Sequence, residues 1–281
     1  MKTIGVVGCG FVGGAIAKGF SLYYDVKAYD TDETKSTHEF KETVESEVVF
    51  VCLPTPMKSV KGGDCNLSIM NKFFEEAEEC DVKETVFAIK STVPVGTTQR
   101  LTKEHPTLKI THSPEFLTAR TANIDFITPS RNIVGGYDKK AIKVVQDLFE
   151  NRFPGVPCLT MTAKESEMVK YMCNCFYATK IMFFNEMLLL SDKMSLNWDN
   201  LIEGMLSSGW ISHMHTDVPG HDGQRGFGGT CFPKDLNAIM SVMKDNDIDP
   251  KVLSAVWEQN LAIREDWDWE RFTSAVQEED E

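Results

Sequence analysis

The sequence has no apolar run approaching the length of a membrane span, so no spanning helix is expected. Its start, MKTIGVVGCGFVGG, has a lone lysine and an early glycine-rich turn. It lacks the long apolar segment and small-residue cleavage site of a signal peptide. There is no CxxC pair, and no cysteine–histidine cluster has zinc-finger spacing, so no metal site is expected. Without an export signal, the eight cysteines are expected as thiols in a reducing cytoplasm. Cys173 and Cys175, two apart in a helical stretch, point to different faces and read as packing residues. Basic charge is also scarce: 29 Lys+Arg stand against 42 Asp+Glu, a net −13. That balance excludes nucleic acid and an anionic membrane as default partners. Part of it lies in an acidic tail over 277–281, read as solvated and frayed. An anionic substrate must therefore find its basic contacts locally. Internal repeats and low-complexity linkers are absent too.

What is present is ordinary globular composition: 281 residues, 42% hydrophobic and 25% charged. The first half alternates short apolar strand signals (Ile4–Val7, Val26–Tyr29, Val48–Leu53, Val86–Ile89, Lys109–Thr111, Asn132–Val134, Cys158–Met161) with helical spacing over 12–22, 68–80, from about Thr97, and over 138–151. Apolar strands alternating with helices predict a parallel α/β sheet. The pattern changes after residue 162. Residues 163–194 contain no Gly or Pro and read as one long helix. Further helices are expected near 198–207, 233–244 and 250–265, with a loop over 209–230 that carries six glycines. Two domains result: 1–162, and 163–281 comprising the long helix and a small all-helical domain.

Gly8-Cys9-Gly10-Phe11-Val12-Gly13 fits G-x-G-x-x-G between a strand and a helix, the context that makes the match informative. The first glycine allows a tight turn, the second admits a pyrophosphate, and the third lets helix and strand pack closely. The helix N-terminus offers free N–H groups to the phosphates. Asp30 ends the second strand, where a carboxylate binds ribose hydroxyls and repels a 2′-phosphate, favouring NAD over NADP. These features make the first domain a Rossmann-like, doubly wound sheet.

In Gly226-Phe227-Gly228-Gly229-Thr230-Cys231-Phe232-Pro233-Lys234-Asp235, Pro233 suits the first turn of a helix and places Cys231 near the N-cap. The helix dipole and Lys234 should both favour the thiolate, so Cys231 reads as a nucleophile and the other seven cysteines as packing. Asp235 lies four residues on, on the same helical side as Cys231.

GFGGTCFPKD resembles the active-site signature of the UDP-glucose/GDP-mannose dehydrogenase family. VVGCGFVGG, Asp30 with Lys35, PTP at 54–56, KSTVPVG at 90–96, SPEFL at 113–117, and Glu167-Met168-Val169-Lys170 with Asn174 resemble further family motifs in the same order over most of the chain. The resemblance implies NAD as cofactor, contacted by Gly8, Gly10, Phe11, Val12, Gly13, Asp30, Lys35, Thr55, Thr92 and Lys234. It implies two successive oxidations at C6 of a nucleotide sugar, with UDP-glucose the leading substrate. Cys231 would attack the intermediate aldehyde to give a thiohemiacetal and then a thioester, which water hydrolyses. Lys170 and Asn174, four apart on one helix face, would contact the reacting oxygen. Asp235 and Thr92 would position water and the active-site lysine, and Glu115 would assist hydrolysis. Glu115, Phe116, Leu117, Lys170, Asn174, Arg225, Gly226, Phe227 and Gly228 would bind the sugar nucleotide. A loop arginine is ordinarily solvated, but here it could pair with a diphosphate.

Two departures stand out. Ala119, followed by Arg120, replaces a second family glutamate near the nicotinamide. No third α/β pattern follows residue 265, where the family has a nucleotide-binding domain. The family also dimerises through its long helix, and the Met/Phe/Leu-rich stretch 168–190 offers an apolar face for a homodimer. Two other readings remain. One is a one-step hydroxyacid dehydrogenase of the related 6-phosphogluconate-dehydrogenase type, which has no need of the cysteine. The other is an NAD-binding, catalytically weak partner of a full-length relative.

Overall fold

In a computed structural model, which describes residues 3–277, β-branched and aromatic runs become strands whose alternate side chains enter two separate cores. Strands β1 (Thr3–Val7) and β2 (Asp25–Tyr29) flank helix α1 (Phe11–Ser21). Then come α2 (Phe40–Val44), β3 (Val48–Val51), α3 (Ser68–Glu79), β4 (Val86–Ile89), α4 (Thr97–Glu104), β5 (Lys109–His112), α5 (Ala122–Ile127), β6 (Asn132–Gly136), α6 (Lys139–Arg152) and β7 (Cys158–Met161). Among the described residues they form a seven-stranded sheet in the order β2-β1-β3-β4-β5-β6-β7.

Ile4, Val6, Val48, Phe50, Val86 and Ala88 face one core, with Phe20 of α1, Phe126 of α5 and Phe149 of α6. Val7, Val49, Val51, Phe87 and Ile89 face the other, with Phe73 and Phe74 of α3 and Leu101 of α4. Both faces are covered, which is why these strands read as unbroken apolar runs. Each fully buried Phe contributes about 1.5–3 kcal/mol. The sheet is not wholly parallel as expected: β5 and β6 pair antiparallel, Thr111 opposite Gly136. Hydrophobic periodicity is the same for either strand direction and cannot foretell this.

Helix α7 (Ala163–Met194) follows, then α8 (Trp198–Leu206), α9 (Phe232–Asp245) and α10 (Lys251–Ile263). Thr162 and Glu165 start α7 with a reciprocal cap. Thr162 N–H donates to Glu165 Oε2 at 2.8 Å, and Glu165 N–H donates to Thr162 Oγ1 at 3.3 Å. Contacts divide the chain into two units. The first runs to Thr55 and resumes over Asn66–Lys170; the second comprises Pro56–Cys65 and the residues from Tyr171 on. The division thus falls eight residues beyond the boundary read from the sequence, inside α7. In the second unit, Trp257 Nε1 donates to the Lys61 carbonyl at 2.9 Å and Trp269 Nε1 to that of Val60 at 3.0 Å. These bonds hold 56–65 within this unit. The acidic tail from Glu278 lies outside the described residues.

Candidate active site

In the first unit, the turn after β1 carries the three glycines. Gly8 has φ +86°, and a Cβ there would lie 2.5 Å from the Cys52 carbonyl oxygen. A Cβ on Gly13 would lie 1.9 Å from the Gly8 oxygen, whereas one on Gly10 would meet nothing within 4 Å. The outer two glycines serve the turn and its packing; Gly10 leaves open space. Gly10 is also the N-cap of α1 and offers no side-chain cap, so the first N–H groups, those of Phe11, Val12 and Gly13, have no intrahelical partner. This arrangement fits a pyrophosphate. Asp30 sits at the end of β2 and accepts from the Cys9 N–H at 2.6 Å and the Asp32 N–H at 2.9 Å. Its spare lone pairs suit ribose hydroxyls. Lys35 is paired instead with Asp32, at 2.9 Å. Both side chains are about half exposed, so the pair is weak and easily exchanged.

Thr55 Oγ1 donates to the Thr92 carbonyl at 2.8 Å, fixing the loop after β4 to the loop after β3. A buried carboxylate holds the next turn. Glu167 of α7 accepts from the Gly96 N–H at 2.6 Å and the Thr98 N–H at 2.8 Å, capping α4 from outside. Burial pushes its pKa up against these bonds.

Glu115 and Lys170, chosen from separate motifs, meet at 2.8 Å. Their side chains are only 10% and 4% exposed. Burial alone would raise the Glu115 pKa, but the charge and hydrogen bond of Lys170 outweigh it and hold the carboxyl below its usual range. Glu115 also accepts from the Leu117 N–H at 2.6 Å. That N–H is therefore engaged inside the loop. Phe116 is held by the Arg131 guanidinium, 4.2 Å from its ring centroid.

In the second unit, Cys231 is the N-cap of α9 with Pro233 in the first turn. It is the exposed member of the eight cysteines, none of which is disulfide-bonded. Its sulfur lies 3.7 Å from Thr230 Oγ1. Asp235 is 1% exposed and accepts from Asn174 Nδ2 of α7 at 2.5 Å. Lys234 also pairs with it. Burial would lower the Lys234 pKa, but Asp235, and then Cys231, raise it, so an ammonium stays within electrostatic reach of the sulfur. Lys234, expected to touch the cofactor, is bonded here to Asp235.

The glycine loop is held by residues that sequence reasoning missed. Asn185 accepts from the Gly226 N–H at 3.0 Å, and Asn260 accepts from the Phe227 N–H at 2.7 Å while donating to its carbonyl at 3.0 Å. Asp268 accepts from the Gly229 N–H at 3.1 Å. The buried Arg264 guanidinium joins Asp222 at 2.7 Å and Asp268 at 3.1 Å. A Cβ on Gly228 would lie 2.3 Å from Arg264, which explains glycine there. These partners lie 33 to 42 residues from the loop groups they hold, and no motif links them. Arg225 pairs with Asp192 of α7 at 3.2 Å on a half-exposed surface, a pairing that a diphosphate could displace.

The family's NAD binding domain model matches residues 26–153 and its central domain model residues 164–262. The chain is 30% identical over 243 residues to the UDP-glucose 6-dehydrogenase of Rickettsia bellii, covering 84% of this chain and 54% of that protein. It is 30% identical over 227 residues to the UDP-glucose 6-dehydrogenase YwqF of Bacillus subtilis, covering 78% and 50%. It therefore spans about half the length of these curated relatives. A solved UDP-glucose dehydrogenase from Pyrobaculum islandicum superposes with a TM-score of 0.83 at 25% identity, covering 93% of this chain and 68% of that one. With motifs, sheet order and both domain matches in agreement, the chain belongs to the UDP-glucose/GDP-mannose dehydrogenase family and carries that family's NAD-binding domain.

Proposed function

We propose that the chain is an NAD-dependent nucleotide-sugar 6-dehydrogenase that oxidises UDP-glucose to UDP-glucuronate through a Cys231 thioester. The observation that carries this reading is Cys231 itself, an exposed thiol at a helix N-cap with the Lys234 ammonium within electrostatic reach of it. When bound, NAD supplies hydride acceptance, needed twice per sugar. Gly10, the first N–H groups of α1 and Asp30 would hold and orient it. The Lys170 ammonium stabilises charge on the reacting oxygen, and its partner Glu115 stays ionised to take a proton from water during hydrolysis. Asn174 adds a hydrogen bond, and Asp235 holds Asn174 and Lys234 in place. Two copies pair through α7, where Met172 and Phe176 are 63% and 64% exposed. Thiols kept unoxidised suit a reducing cytoplasm.

Incubation with UDP-glucose and NAD⁺ should release two NADH per sugar. Cys231→Ser, which puts a favourable capping residue at the N-cap, should fold and form no acid. One NADH per molecule would replace this reading with a one-step dehydrogenase, and an unchanged acid yield from the serine variant would remove the Cys231 thioester from it. NAD⁺ binding without turnover of any nucleotide sugar would make the chain a catalytically silent partner.

A further inference from the structure

Lys90 follows β4 directly, its N–H continuing the ladder to the Val51 carbonyl at 2.8 Å. Its side chain turns inward, and the residue is only 6% exposed. Nζ donates to the Pro114 carbonyl at 3.1 Å and to Ser113 Oγ at 3.4 Å, the two residues just ahead of Glu115. It lies 5.5 Å from the centroid of the Phe149 ring. The titratable groups facing it are Cys52 after β3, His112 on β5, Glu115 after β5, Cys158 on β7 and Lys170 on α7. Glu115 is the one acid among them, and it is already bonded to Lys170. Two buried ammonium groups therefore act on this one carboxylate, Lys170 by a direct bond and Lys90 through its charge.

That arrangement is costly. Desolvating a second cation beside a completed ion pair works against folding, and an apolar side chain of similar length would ordinarily be neutral or better there. Burial pushes the Lys90 pKa down to about 8, against the pull of Cys52 and Glu115. Lys90 also helps to hold Glu115 below its usual range. A polar tether to the Pro114 carbonyl alone would not need a charge.

We propose that Lys90 is a positioning residue for the Glu115–Lys170 pair: its buried ammonium ties the backbone ahead of Glu115 to the end of β4 and supplies a second positive charge against which the pair works. The role in turnover rests on the dehydrogenase reading above; the effect on Glu115 does not. The test is titration of Glu115 by carbon NMR in the full chain labelled at glutamate carboxyls, for wild type, Lys90→Gln, Lys90→Met and Lys90→Arg. In Lys90→Gln, which keeps a donor for Pro114, Glu115 should titrate at roughly tenfold lower proton concentration than in wild type. In Lys90→Met, exchange of the Leu117 amide should also accelerate. Lys90→Arg should restore the wild-type titration. In turnover, the acid limb of kcat should move up in pH in Lys90→Gln, with KM for NAD⁺ unchanged. An unmoved Glu115 titration in Lys90→Gln overturns the proposal, whether or not the chain oxidises a nucleotide sugar. Should Lys90→Met fail to fold, Lys90→Gln against Lys90→Arg still decides it.

Discussion

Asn174 Nδ2 donates to Asp235 Oδ2 at 2.5 Å, joining α7 to the first turn of α9. Asp235 also holds Lys234, so a single buried carboxylate sets both the helix that presents Cys231 and the cation in its first turn. Removing each partner should have unequal effects. Asn174→Ala should cost about 1–3 kcal/mol, since Asp235 keeps Lys234. Asp235→Ala should cost about 3–5 kcal/mol, because it leaves a buried ammonium without a counter-charge. Urea denaturation measures both. Equal losses would show that Lys234 finds solvent once Asp235 is gone.

The glycine loop offers a contrast between steric and backbone limits. An alanine at 228 brings its Cβ within 2.1 Å of Asp268 Oδ1 and 2.3 Å of Arg264. At Gly229 there is open space, but φ is +74°. Gly229→Ala should cost about 1–2 kcal/mol from the left-handed backbone alone. Gly228→Ala must also displace the Arg264–Asp268 bracket and should cost more, about 3 kcal/mol. Thermal denaturation ranks them, and the reverse order would mean that the bracket yields freely.

His112 makes stability depend on pH in a defined direction. It is fully buried, and its Nδ1 lies 2.8 Å from Ser166 Oγ. Burial, with Lys90 and Lys170 nearby, lowers its pKa to about 3. Between the ordinary histidine value of about 6.5 and that figure, the unfolded chain binds a proton that the folded chain refuses. Stability from this residue is therefore complete above about pH 6.5 and declines as pH falls toward 3. His112→Gln should flatten the denaturation midpoint between pH 6.5 and 5. An unchanged slope there would show that His112 protonates in the folded state.

Much of the fold was legible because burial on both sheet faces leaves unbroken apolar strands, as in Val48–Val51. The long helix was legible because 163–194 contain no breaker. The glycine fingerprint announced its own geometry, since positive φ at Gly8 and the close approach at Gly13 are things only glycine tolerates. The short α2 and α5 were not seen. They span 5 and 6 residues, too few for a helical period to register.

The sequence by itself determined the alternation of strand and helix, the dinucleotide turn, and Cys231 as a chemically able residue, while Lys170 and Glu115 stood out only through their resemblance to family motifs. Those are properties of short windows, where spacing and side-chain type suffice. Only the tertiary structure decided the antiparallel β5–β6 pair, the union of Glu115 with Lys170, the bonding of Lys234 to Asp235, and the bracing of the loop by Asn185, Asn260, Arg264 and Asp268. Each depends on which distant groups are desolvated together. A buried charge or amide takes whatever partner the packed chain brings within reach, and no local pattern encodes that partner.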